Sequence, residues 1–94
     1  FTEILNFYDL YIEGSKMSHC VYHNFKHSVE EGSVLVFHVQ QNNDLEEQAT
    51  LGLEMVDQKY MVFQNYGYRN KVPSDNIKKA TRAFLKQINQ NIAQ

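Results

Sequence analysis

The feature that most constrains this 94-residue chain is a pair of strand-like runs, residues 49–56 and 59–66, separated only by Asp57-Gln58. A two-residue connection turns the chain straight back on itself, so the runs read as an antiparallel hairpin with Val56 opposite Lys59. Side-chain parity then sets the faces. Ala49, Leu51, Leu53 and Met55 share one face with Tyr60, Val62, Gln64 and Tyr66, while Gly52 stands opposite Phe63 on the other. A glycine there leaves room for the ring to lie across the partner backbone. Upstream, residues 33–40 contain Val34-Leu35-Val36-Phe37, apolar on both faces as a central strand requires. Asn42-Asn43-Asp44 marks the loop between them, so a three-stranded antiparallel sheet is expected.

Helical spacing governs the rest. Phe1, Ile4, Leu5, Tyr8 and Ile12 predict a first helix over residues 1–12, interrupted by Gly14-Ser15. Met17, Val21, Phe25 and Val29 recur every four residues and predict a second helix running to Glu31, with Gly32 as its stop. Pro73-Ser74-Asp75 opens a last helix, with Ser74 as N-cap and Ile77, Ala80, Phe84, Ile88 and Ile92 as its buried stripe. The order is helix, helix, three strands, helix. It predicts one small α+β domain over residues 1–94, with N-terminal helices and one C-terminal helix packed on the sheet. No repeat or linker divides it, and an initial Phe suggests a segment of a longer polypeptide.

Hydrophobic residues at 43% and charged residues at 21% exclude a disordered tail, and the longest apolar run is four residues, too short for a membrane span. The lone Cys20 rules out an internal disulfide framework, which makes the reducing cytoplasm the expected compartment. There is no His-Glu-x-x-His, no paired-cysteine spacing and no glycine-rich phosphate loop, so neither metal nor cofactor is expected.

Charge is divided unevenly along the chain. Residues 1–68 hold three basic and ten acidic side chains, whereas residues 69–94 hold six basic and one acidic. On the last helix Lys78, Lys79, Arg82 and Lys86 fall within an arc of about 100° opposite the apolar stripe. With Arg69 and Lys71 they could track a phosphate backbone, or form a solvated face that pairs with the acidic half of the molecule. His19, His23 and His27 repeat at four-residue steps, but all three cannot share one zinc, since the outer pair is about 12 Å apart along a helix axis. Cys20 beside His19 reads either as a thiol near imidazoles or as a small core residue. Gln64, polar on the face assigned to the core, either braces the loop of residues 67–70 or points into a site.

The run Leu10-x-x-Glu13-Gly14-x-x-Met17-x-His19-Cys20-Val21 resembles the opening motif of the PcfJ-like family, found in proteins of conjugative plasmids, phages and other mobile elements. Phe25, Gly32 and residues 34–37 answer to the aromatic, glycine and strand that follow in that family. Ala49-Thr50-Leu51 and Gln64-x-x-Gly67-x-x-Asn70 resemble its next two motifs, so the resemblance spans about residues 10–88. Two departures stand out. An arginine often found at the end of the first strand is replaced by His38 or Gln40, and a glutamate of the second strand by Gly52. The resemblance implies a domain of a larger protein linked to mobile DNA, and no defined activity.

Two functions follow. One is a non-catalytic module binding nucleic acid, a protein partner or the rest of its parent chain through Arg69, Lys71, Lys78, Lys79, Arg82 and Lys86. The other is a small hydrolase or nuclease with Glu13, His19, Cys20, Gln64 and Asn70 converging on one pocket. Under either reading His19 is expected to be at least half buried, holding the start of the second helix against the loop of residues 64–70.

Overall fold

The computed structural model describes residues 1–5, 7–17 and 34–92. The expected second helix, and with it His19, Cys20, His23 and His27, lies outside the described residues. The elements in chain order are β1 (Thr2–Ile4), α1 (Phe7–Met17), β2 (Val34–Gln40), a 3-10 turn (Leu45–Glu47), β3 (Gln48–Val56), β4 (Lys59–Gly67), a second 3-10 turn (Tyr68–Asn70) and α2 (Asp75–Ile92). The strands form one antiparallel sheet in the order β1-β2-β3-β4, so the α+β reading holds with four strands instead of three.

The extra strand comes from the segment expected to open a helix. Thr2, Glu3 and Ile4 pair with His38, Phe37 and Val36, which gives partners to the inner side of β1 and to the middle of the outer side of β2. The helix therefore starts later, at Phe7, and passes through Gly14-Ser15 to Met17. Its buried face is Leu10, Glu13, Gly14 and Met17, whereas Tyr8 and Ile12 are exposed. Helix geometry fixes this set, since positions 10, 13, 14 and 17 lie on one side of the cylinder.

The hairpin turn matches its expected register, Val56 opposite Lys59. Asp57 and Gln58 both adopt positive φ, 50° and 69°, as the tight turn that follows the strands' right-handed twist demands. Farther along, the register slips: Leu53 pairs with Val62 but Gly52 pairs with Gln64, so Phe63 is an extra, bulged residue. One inserted residue reverses parity for everything beyond it. Gln64 and Tyr66 thus lie opposite Gly52 and Thr50 rather than sharing the face of Leu51, and Gly52 does not face Phe63.

Strand β3 is buried on both faces from Gln48 to Leu53, which makes it the centre of a three-layer arrangement. On one face Phe37, Val39, Ala49, Leu51 and Leu53 pack against Ile77 of α2, joined at the margin by Leu35, Tyr60, Phe84, Leu85 and Ile88. Phe84 sits between two rings, stacked on Phe1 at 4.1 Å and edge-on to Phe37 at 5.0 Å. On the other face Leu10 of α1 meets Ile4, Val34 and Val36. Each fully buried Leu or Ile in these layers contributes about 1.5–3 kcal/mol relative to exposure. Helix α2 starts as expected: Ser74 Oγ accepts from Ile77 N–H at 3.3 Å and donates to Glu47 Oε2 at 3.0 Å. That second bond ties the start of α2 to the loop between β2 and β3.

Candidate functional site

The α1-facing side of the sheet is not uniformly apolar. Beyond the Ile4–Leu10–Val34–Val36 cluster, β2 and β3 turn His38, Gln48 and Thr50 toward Glu13 of α1. Glu13 Oε2 lies 2.7 Å from His38 Nδ1 and accepts a hydrogen bond from Thr50 Oγ1. His38 Nε2 lies 3.0 Å from Gln48 Oε1, and Gln48 Nε2 donates to the Asn42 carbonyl at 3.1 Å. The side chains of Glu13 and His38 are 6% and 13% exposed, so this chain of contacts runs largely out of water.

Its proton arrangement follows from its far end. The Asn42 carbonyl can only accept, which orients the Gln48 amide nitrogen toward it and the Gln48 oxygen toward His38. His38 Nε2 is therefore a donor. One further proton is shared between Nδ1 and the Glu13 carboxyl group, which joins α1 to β2. A buried hydrogen-bonded pair bridging α1 to the sheet in this way fixes the position of the helix.

Of the described residues expected to form a catalytic pocket, only Glu13 joins this cluster. Its Oε2 is engaged by Thr50 and His38, so it is not a free base. Gln64 Oε1 is buried without a hydrogen-bond partner, and no hydrogen bond joins Gln64 to the loop of residues 67–70 among the described residues. Asn70 is exposed, with φ of 62°. His19 and Cys20 lie outside the described residues. Sequence reasoning missed Thr50 and Gln48 and did not join His38 to Glu13. The available signal was a histidine interrupting the otherwise apolar run from Val34 to Val39.

The basic side chains of α2 occupy the opposite layer. Lys79, Arg82 and Lys86 are exposed on α2 and Lys78 is half-buried; among the described residues none of the four has an acidic group within ion-pair distance. Exposed amides of Asn76, Gln87, Gln90 and Asn91 flank them on the same helix. Lys71 instead pairs with Glu46 at 3.6 Å, a contact about 60% exposed at both ends. Arg69 has φ of 58° and holds its guanidinium 5.2 Å from the centre of the Tyr68 ring. The close turn after β4 depends on Gly67, whose N–H donates to the Lys71 carbonyl at 2.8 Å; a Cβ there would meet that oxygen at 3.1 Å.

Among the described residues no group of three His, Cys, Asp or Glu side chains could hold a metal ion, and no helix is long and apolar enough to cross a membrane. No curated protein and no solved structure matches the chain. A family model described as PcfJ-like protein matches residues 5–81. That span takes in α1 through the first turns of α2, including Glu13, His38, Thr50 and the Gly67 turn, and the chain belongs to the PcfJ-like family.

Proposed function

We propose that this PcfJ-like chain is a non-catalytic nucleic-acid-binding module of a mobile-element protein, working in the cytoplasm. The observation that carries the reading is the cationic stripe on α2, which among the described residues has no ion-pair partner. Cations that already face carboxylates lose an interaction when a phosphate displaces the carboxylate; those of α2 face none among the described residues. Lys79 and Lys86 are about 10 Å apart along the helix axis, comparable to three nucleotide steps along one strand. Arg82 lies between them, and the neighbouring amides supply neutral donors for phosphate or sugar oxygens. Arg69 extends the positive surface at the start of the helix. The ten acidic residues before Arg69 oppose association, so micromolar or weaker affinity at physiological salt is expected.

Titration of a labelled duplex and a labelled single strand over a salt series tests this. Each phosphate contact contributes about −0.9 (duplex) or −0.7 (single strand) to the slope of log K against log salt. Arg82→Glu with Lys86→Glu should flatten the slope by about two contacts while leaving the thermal melt nearly unchanged, because exposed charges contribute little to folding. Absence of binding at low salt, or binding indifferent to the reversal, overturns the proposal and leaves a protein partner as the better reading. The hydrolase alternative is disfavoured by Glu13, whose carboxylate is buried and engaged by the sheet.

A further inference from the structure

Strand β4 is outermost in the sheet among the described residues, so a row of its backbone N–H and C=O groups faces away from β3. Such a row is a template for another strand. Little in the composition of β4 discourages pairing. It contains no proline and one charge, Lys59, and Met61, Val62 and Phe63 are 50%, 44% and 44% exposed.

The row is nonetheless closed from within the chain. Tyr60 N–H donates to Asn89 Oδ1 at 2.8 Å, and Asn89 Nδ2 donates to the Tyr60 carbonyl at 2.9 Å. This two-bond exchange is the one a residue of a fifth antiparallel strand would make with Tyr60. At the far end Gly67 N–H is taken by the Lys71 carbonyl, and between the two the Phe63 bulge breaks the repeat. The bulge and the Gly67 turn are features of the backbone. Asn89 is a single side chain on α2, three residues after Lys86.

We infer that Asn89 is an edge lock, whose amide occupies the pairing positions of Tyr60 and so withholds β4 from pairing with β4 of a second copy of this chain. A second copy is the fitting occupant because the strand is self-complementary. Two copies running antiparallel about a two-fold axis present the same row to each other. Centred on Met61, ahead of the bulge, this arrangement sets Tyr60 against Val62 and Lys59 against Phe63 of the other copy, so like charges do not meet and the exposed Met61 side chains lie opposite each other.

The test uses Asn89→Ala, read by amide hydrogen exchange at Tyr60 and by light scattering over a concentration series. Exchange at Tyr60 should accelerate roughly tenfold or more as both bonds are lost. The scattering mass should climb toward that of a dimer at concentrations where the unaltered chain changes less. Adding Val62→Lys, a charge on the exposed edge, should return the mass to that of the parent. Faster exchange without added self-association overturns the lock, as does self-association that Val62→Lys leaves in place. If Asn89→Ala does not fold, Asn89→Asp serves, since it can accept from Tyr60 N–H but cannot donate to the carbonyl. An Asp variant that associates more than the parent supports the lock, and one indistinguishable from the parent overturns it.

Discussion

Glu13→Ala tests whether one carboxylate holds α1 on the sheet. Its Oε2 contacts His38 Nδ1 at 2.7 Å and accepts from Thr50 Oγ1, in a side chain only 6% exposed. Alanine removes the acceptor from both and leaves His38 beneath the helix with Gln48 as its remaining hydrogen-bond partner. Leaving a buried polar group without its hydrogen-bond partner costs about 1–3 kcal/mol, and two such groups lose theirs here. Because His38 retains 13% exposure and some access to water, a combined cost of about 3 kcal/mol is expected. That is a large share of the roughly 5–15 kcal/mol that holds a domain folded. Glu13→Gln keeps the volume and one acceptor oxygen and should cost about 1–2 kcal/mol. Replacing both Glu13 and His38 with leucine leaves neither facing a lost partner, so the double variant should be more stable than the two single leucine variants' costs add up to. Urea unfolding, followed by far-UV circular dichroism and by the fluorescence of the six tyrosines, measures all of these. A cost below about 1 kcal/mol for Glu13→Ala, or strict additivity in the double variant, would refute the reasoning.

Three smaller substitutions probe other elements. Gln58→Gly relieves a side chain held at φ 69° in the hairpin turn and should stabilise by about 0.5–1 kcal/mol, seen as a higher Tm. Ser74→Ala removes the cap from Ile77 N–H and the bond to Glu47, and should cost about 1 kcal/mol in the same melt. Gly67→Ala brings a methyl within 3.1 Å of the Lys71 carbonyl, which its own N–H holds in place, so a loss of about 1–3 kcal/mol is expected in urea unfolding.

The parts of the fold legible in sequence were those set by neighbours in the chain. The Val56–Lys59 turn needed only two short runs and two residues between them, and the start of α2 needed only Ser74 ahead of a helical period. The Phe63 bulge left no trace, because an inserted residue in an alternating run looks like ordinary alternation; Gln64 and Tyr66 were put on the wrong face for that reason alone. Strand β1 was hidden because Thr2–Ile4 is too short to show a period and its partner lies some thirty positions away. The candidate site divided in the same way. The α2 stripe is a helical period, readable directly. Glu13 was singled out by its motif, but His38 and Thr50 come to it from positions 25 and 37 residues along the chain, which only the packed sheet brings close.

The sheet's spatial order equals its sequence order, and this has a consequence for how the molecule assembles. Pairing β3 with β4 closes a turn of two residues, pairing β2 with β3 closes residues 41–47, and pairing β1 with β2 must close residues 5–33. Closure entropy rises with each step, so the contacts from β2 onward are expected to form early and β1 with α1 to dock last. In pulse-labelled refolding the amides of Leu51 and Met61 should gain protection before those of Ile4 and Val36 on their shared ladder. If the order were reversed, the first strand would be guiding the sheet instead of completing it. On the expected order, the Glu13–His38 bridge is a late latch: it closes over a sheet already built, and it is the first part of the fold to open when the chain is stressed.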